Sequence, residues 1–300
     1  MINSIVSIED FEQISPIFKG DKGHKLAKHV MHLFALDKIN DLYNRSSIYN
    51  GHEFAKSLLK DLRVSYKIGN AERLVALPKG SFITISNHPY GGLDGIMLID
   101  LMVGIRPDYK LMANQILSLI KTLNENFIPV QPKIKNEKDI KAVNINGIRE
   151  TLMHLHQGHP VGFFPAGAVS DFSIKKGCVR DREWQKNIIK IIKLAKVPVL
   201  PIRFFDSNSP LFYFLGLINW RIRLTRMPYE VLNKSKKGQR IGIGKIISVK
   251  EQEKYNDPDS FNHFLRNSIY SMPVPKSFVP IDEQEWHKMN LLRNSYQSYS

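Results

Sequence analysis

One cysteine, Cys178, in 300 residues leaves no partner for an intramolecular disulfide. A chain of this size can bury an adequate core without such staples, so the single thiol fits a reducing compartment. The neighbours Lys175, Lys176 and Arg180 could lower its pKa, but a structural role is the expectation for an isolated cysteine. Also missing is any run near the ~18 apolar residues that a membrane-crossing helix needs. The most apolar stretches are 95–104, broken by Asp100, and 211–220, followed at once by Arg221 and Arg223. The first ten residues have neither a basic region nor an apolar one, so no signal peptide is expected. There is no low-complexity tract and no repeat at a solenoid period. A secreted disulfide scaffold, a spanning helix and a repeat array are therefore all disfavoured.

Anions are scarce too: 28 Asp and Glu face 43 Lys and Arg, a formal net charge of +15. That excess asks for an anionic partner, whether nucleic acid, an anionic leaflet or a phosphorylated substrate. Basic residues gather at Lys175, Lys176, Arg180 and Arg182, at Arg221, Arg223 and Arg226, and at Lys234, Lys236, Lys237 and Arg240. The second group directly follows an apolar stretch holding Phe212, Tyr213, Phe214 and Trp220. Aromatic and apolar residues beside arginines suit a segment lying in a membrane interface, with core packing of 212–217 as the competing reading. Each basic residue near an anionic leaflet contributes roughly 1 kcal/mol. No helix-turn-helix, RNA-recognition or zinc-finger pattern supports nucleic acid, so none is expected as a partner.

Hydrophobic periodicity divides the chain. Residues 25–36 and 54–62 repeat apolar positions at helical spacing, and 1–65 reads as an N-terminal helical layer. From there short apolar runs alternate with helices. Strands are expected at 81–86, 109–113, 127–130, 161–164, 197–204 and 240–247, and helices at 93–103, 116–123, 139–156, 184–195 and 260–270. The alternation predicts an α/β domain over 66–275, a central and mostly parallel sheet flanked by helices, with 276–300 as a C-terminal extension. In such sheets functional groups collect in the loops at strand ends.

One such loop stands out. In Ile85-Ser86-Asn87-His88-Pro89-Tyr90-Gly91-Gly92-Leu93-Asp94-Gly95 a strand ends, a histidine follows, a Pro-aromatic-Gly-Gly turn intervenes and an aspartate opens a helix. Six residues apart on a straight helix, His88 and Asp94 would face apart, but Pro and paired Gly favour a tight loop that brings them together. A carboxylate on one ring nitrogen fixes the tautomer and leaves the other nitrogen as a base, able to deprotonate an acceptor hydroxyl directly. The plainer alternatives are a helix cap for Asp94 and a backbone-bonded loop histidine for His88.

Two weaker patterns are set aside. His154, His156 and His159 do not share a helix face and lack a completing Cys or carboxylate, so no metal is expected. His159 reads as a favourable cation at a helix C-terminus. Gly242-Ile243-Gly244-Lys245 lacks the full phosphate-loop spacing and alternates as a strand.

The His88–Asp94 segment resembles the first motif of the glycerolipid (lysophosphatidate acyltransferase-like) acyltransferases, Asn-His, four residues, then Asp, though here five residues intervene. Asn126-Phe127-Ile128-Pro129-Val130 is similar to the second motif, 163–170 (Phe-Phe-Pro-Ala-Gly-Ala-Val-Ser) to the third, and 197–202 (Val-Pro-Val-Leu-Pro-Ile) to the fourth. The wording looks like a bacterial, haemolysin-like subgroup that O-acylates lyso-amino-acid lipids such as lyso-ornithine lipid. The resemblance spans roughly 70–250 and implies a peripheral enzyme on the cytoplasmic face of the inner membrane. Its co-substrate would be acyl carrier protein or coenzyme A thioester, with no cofactor, and its acceptor a lyso-lipid. His88 would be the general base and Asp94 its orienter. Asn87, Gly91, Gly92, Lys133, Pro165, Ala166, Gly167 and Ser170 are implied around the substrate, with backbone N–H groups of 166–168 as oxyanion donors. Arg180, Arg182, Trp220, Arg221 and Arg223 are expected to contact membrane or donor. Val130 and Gln131 replace an arginine that commonly binds acceptor phosphate, and Ala166 replaces a glutamate. Lys133 and Lys135 follow closely but cannot reproduce a bidentate arginine. These departures favour a lyso-amino-acid lipid over lysophosphatidate.

Overall fold

The computed structural model describes residues 4–114, 117, 120–130, 137–236 and 238–280, with side chains at all of these except 137–144 and 236. Four helices come first: α1 (Ile8–Ile14), α2 (Gly20–Leu33), α3 (Leu36–Ser46) and α4 (Gly51–Asp61). The single helix expected over 25–36 is divided, because Ala35 adopts φ 56° and caps α3 in a left-handed conformation. Then follow β1 (Tyr66–Gly69), β2 (Ile83–Ser86), α5 (Gly92–Ile105), β3 (Lys110–Asn114), β4 (Phe127–Val130), α6 (Glu137–His156) and β5 (Val161–Phe163). A small hairpin, β6 (Asp171–Ser173) and β7 (Cys178–Arg180), precedes α7 (Lys186–Ala195) and β8 (Val199–Phe204). The chain closes with α8 (Pro210–Ile218), α9 (Trp220–Thr225), α10 (Met227–Leu232), β9 (Gln239–Ile243), α11 (Val249–Gln252), α12 (Pro258–Tyr270) and β10 (Val279–Pro280). Of the helix expected at 116–123, residues 116, 118 and 119 lie outside the described residues, and a 3-10 turn spans Lys121–Asn126.

The sheet is mixed α/β and mostly parallel. Its eight strands lie in the order β10-β1-β9-β8-β2-β5-β3-β4. The run β8-β2-β5-β3-β4 is parallel throughout, while β9 pairs antiparallel with β8 and starts a short reversed edge. Alternation along each strand builds two cores. Leu111 and Ala113 of β3, Phe127 of β4 and Leu200 and Ile202 of β8 face α3–α5. Met112, Ile128, Ile83, Ile85 and Val199 face the opposite side, with Ile189, Ile191 and Ile192 of α7 and Phe261, Leu265 and Ile269 of α12. The period of two in a strand produces this partition.

Helix α5 is buried almost all round, since α4 covers it on one side and the sheet on the other. Its two aspartates are both engaged: Asp100 accepts from Tyr66 Oη at 2.5 Å and lies 3.2 Å from His52 Nε2. Those contacts bind α4 and β1 to α5, so the N-terminal helices form one layer with the sheet. At the other end, β10 pairs with β1, so part of the C-terminal extension joins the sheet.

Candidate functional site

Strand β2 lies between β8 and β5, and the loops after all three parallel strands emerge on one edge of the sheet. His88 sits two residues past β2 and stacks on Phe164, one residue past β5, with ring centroids 4.0 Å apart. The turn closes through Gly91, at φ 81°, where an added Cβ would come within 3.1 Å of Val169 and Met227. Helix α5 then starts, and Asp94 reaches back.

Asp94 Oδ2 accepts the N–H of Tyr90 at 2.9 Å and of Gly91 at 3.0 Å, and lies 2.9 Å from His88 Nδ1. The helix cap and the contact with His88, weighed as alternatives from sequence, are made by one carboxylate. The ring is turned off the ideal hydrogen-bond line, so the Nδ1–Oδ2 approach is a close contact. Asp94 is fully buried, and burial pushes its carboxyl above the usual carboxylate range, while His88 and the two N–H groups pull it down. With Nδ1 turned to Asp94, Nε2 is the nitrogen left for chemistry.

The loop that carries His88 is fastened from four directions. Asn87 donates to Phe204 O at 2.9 Å and accepts from Phe204 N at 2.8 Å, tying β2 to the end of β8. Tyr213 of α8 donates to Pro89 O at 2.9 Å, and buried Tyr90 donates to Gln239 of β9. Ser170 N donates to His88 O at 2.8 Å. Asp181 completes the set: its Oδ1 accepts His88 N at 3.1 Å and Ser170 Oγ at 2.6 Å, and its Oδ2 accepts Trp184 Nε1 at 3.1 Å. Sequence reasoning missed Asp181. The only available signal was a lone carboxylate amid Arg180 and Arg182, eleven residues after Ser170.

His88 opens onto a cavity of about 590 Å³ between α3, α4, α5, the strand ends and α9–α10. That volume is in the range of small-ligand pockets. Its walls are mainly apolar, from Leu42, Tyr43, Phe54 and Leu58 of the N-terminal helices to Ile96, Phe127 and Phe163. Helices α3 and α4 therefore roof the cavity as well as covering the sheet.

The sequence-derived site residues divide on this geometry. Gly91, Gly92, Gly167, Arg182, Trp220 and Arg223 line the cavity with His88. Asn87 and Ser170, expected near substrate, are buried, Asn87 bonding the Phe204 backbone and Ser170 donating its N–H to His88 O. Buried Pro165 and Ala166 turn their carbonyls to Gln185. Arg180 stacks on Tyr270 at 4.3 Å and does not line the cavity. Arg223, expected to contact membrane or donor, is 3% exposed and pairs inward with Asp171 at the cavity wall. Trp220 and Arg221 are exposed, the arginine stacking on the indole at 5.4 Å. Lys133, Lys135, Gln131 and Lys237 lie outside the described residues. In the 166–168 turn the Gly167 N–H is committed to Phe164 O at 2.9 Å, which leaves Ala168 as that turn's cavity-lining N–H without a described partner.

The remaining motifs are structural. His154 Nε2 meets Asp108 O at 2.8 Å and His159, just past the end of α6, donates its N–H to His154 O at 3.1 Å and meets Asp108 Oδ2 through Nδ1 at 2.7 Å. Strand β9 runs through Gly242 to Ile243, as the alternation predicts. Cys178 is exposed on β7 and does not line the cavity.

Comparison with known proteins gives the family of the chain. A family model described as Acyltransferase matches residues 25–273, and the chain belongs to that family. A lyso-glycine lipid O-acyltransferase of Bacteroides thetaiotaomicron is 28% identical over 246 residues, covering 79% of this chain and 85% of the relative. A second protein of that name, from Phocaeicola vulgatus, is 24% identical over 284 residues, covering 91% and 98%. Among solved structures, the 1-acyl-sn-glycerophosphate acyltransferase of Thermotoga maritima aligns at 14% identity with a TM-score of 0.44, covering 82% of this chain and 92% of that one.

Proposed function

We propose that this acyltransferase moves a fatty acyl group from an acyl carrier protein or coenzyme A thioester to the hydroxyl of a lyso-amino-acid lipid of the lyso-glycine type, at an anionic membrane surface. The observation that carries the reading is the 2.9 Å His88–Asp94 approach at the wall of an apolar cavity. His88 Nε2 takes the proton of the acceptor hydroxyl as its oxygen attacks the thioester carbonyl. Asp94 stabilises the imidazolium that forms. The N–H of Ala168 is the nearest candidate in the 166–168 turn to receive the developing oxyanion. Collapse of the tetrahedral intermediate expels the thiolate, which recovers the proton from His88. The apolar walls from α3, α4 and α5 hold the acyl chain and exclude water from the thioester.

Two features support the acceptor class. Both named relatives act on a lyso-glycine lipid. Val130 stands where a phosphate-binding arginine is common, and Ala166 is buried with its carbonyl engaged. A membrane surface is supported by the apolar face of α8 and α9, where Leu211, Phe214, Leu217, Ile218 and Trp220 are exposed. No described helix is long and apolar enough to cross a membrane.

Purified protein given labelled acyl carrier protein thioester is expected to acylate a lyso-glycine lipid in preference to lysophosphatidate, and the reverse preference would overturn the acceptor class. His88→Ala should lower kcat by at least about 100-fold, the lower range for a lost general base. Its circular dichroism and vesicle binding should be unchanged. Activity retained in that variant would sink the base mechanism.

A further inference from the structure

Two arginines at the cavity share one carboxylate. Arg223 Nη1 donates to Asp171 Oδ1, and Arg182 Nε donates to Asp171 Oδ2. Asp171 is the only ion-pair partner described for either. Arg223 Nη1 also donates to Ser170 O at 3.2 Å, and the guanidinium lies 5.1 Å from the Phe212 ring centroid. Its side chain is 4% exposed, its Nε is buried with no hydrogen-bond partner, and no hydrogen bond from its Nη2 is described. Both arginines line the cavity that holds His88.

A buried cation is unfavourable unless paired. Half-exposed Arg182 is partly solvated, but the two guanidiniums share one carboxylate, so the pair carries a net positive charge at the cavity wall. The planar guanidinium fork matches a carboxylate better than a point charge would. Glycine has no hydroxyl, so the oxygen acylated in a lyso-glycine lipid must lie on the chain attached to it. Attachment through the amine leaves the glycine carboxylate free.

We propose that Arg223, assisted by Arg182, receives the free carboxylate of the acceptor headgroup and so sets acceptor specificity. The assignment rests on the lyso-amino-acid reading above. The seat and the base are close along the chain of contacts: Ser170 accepts from Arg223 and donates its N–H to His88 O at 2.8 Å. The site therefore suits an acceptor whose hydroxyl lies a few bonds from its carboxylate.

The test compares two acceptors, an N-(hydroxyacyl)glycine and its uncharged glycinamide, by the ratio of their kcat/KM values. Wild type is expected to favour the acid about 10- to 100-fold, the span of a charge-assisted hydrogen bond. In Arg223→Gln the ratio should fall to about 1, and in Arg182→Gln it should fall part of the way. A wild type that acylates acid and amide equally overturns the proposal while leaving lyso-lipid acylation standing. An Arg223→Gln variant that slows on both acceptors with the ratio unchanged overturns it too, and assigns the arginine to structure. If wild type acylates neither, the acceptor reading falls and this one with it. Should Arg223→Gln not fold, an unchanged ratio in the half-exposed Arg182→Gln variant is the overturning result.

Discussion

At the scale of single residues the site depends on what holds His88 still. Its imidazole contacts Asp94, but its main chain is gripped at N–H by Asp181 and at C=O by Ser170, and those two side chains bond each other at 2.6 Å. Asp181 is thus a positioning residue that touches the backbone of the base without touching its ring. Asp181→Ala should remove the acceptor for both His88 N and Ser170 Oγ, and displacement of a general base by a fraction of an ångström is costly. We expect kcat to fall by about 10- to 100-fold with KM nearly unchanged, and Asp181→Asn, whose carbonyl oxygen can still accept, to recover most of it. Equal losses in the two variants would show that charge, rather than placement, is what Asp181 supplies. His88 and Asp94 were legible in the sequence because a His, a Pro-Gly-Gly turn and an acidic helix start fall in eleven residues. Asp181 was not, since it lies 93 positions from His88 and meets it only through the fold. The inward partners of Arg223 were equally hidden: it follows an apolar stretch, yet its helix turns it toward Asp171 and Ser170.

At the scale of elements, α8 links the outside of the molecule to the loop that carries His88. Buried Phe212 and Tyr213 face inward, and Tyr213 donates to Pro89 O at 2.9 Å, one residue from His88. The helix begins at Ser209, whose Oγ caps Phe212 N at 3.3 Å and donates to Glu230 Oε1 at 2.5 Å. Glu230 of α10 also accepts Ser209 N at 2.9 Å and lies 2.9 Å from Lys234 Nζ. Burial pushes the Glu230 carboxyl up, but Ser209 and Lys234 outweigh it and hold the group below its ordinary value of 4.5. A carboxyl depressed on folding stabilises fully above that ordinary value and loses its contribution as pH falls through the folded one. Glu230→Gln should cost about 3 kcal/mol at pH 7, the scale of breaking a buried pair. Between pH 7 and pH 4 its denaturation midpoint should fall less than that of wild type. Urea unfolding at the two pH values checks both statements, and parallel losses in the two proteins would remove Glu230 from the account. Helices α8, α9 and α10 were hard to read beforehand because each is short and stabilised by tertiary contacts. The longer α6, α7 and α12 announced themselves through sustained periodicity, and the largely buried strands β2 and β8 through their short apolar runs.

At the scale of the whole molecule, the cavity mouth and an exposed apolar face adjoin. Trp220 and Leu224 line the cavity and are also 52% and 42% exposed. Helix α9 packs on α8, whose Leu211, Phe214, Leu217 and Ile218 are exposed, and the β6–β7 hairpin beside α8 exposes Phe172 and Ile174. Lys175, Lys176 and Arg221 border these residues in sequence and are exposed. An apolar face edged by cations, on a chain of net charge +15, fits the interfacial zone of an anionic leaflet. A lyso-lipid could then pass from bilayer to His88 without crossing water. This arrangement predicts how binding responds to two separate levers. Raising salt should weaken binding to anionic vesicles by screening the cations, while leaving the apolar part of the attraction. Phe214→Glu with Ile218→Glu should weaken binding by roughly 100-fold even at low salt, from about 1.5 kcal/mol for each apolar side chain withdrawn. Neither side chain lines the cavity, so turnover of acceptor dispersed in detergent should stay near the wild-type value. Vesicle sedimentation across a salt series measures both effects. If the double variant sediments like wild type, the bilayer meets the protein elsewhere, and the exposed ends of α1–α3, with Ile14, Ile17 and Leu33, become the surface to alter next.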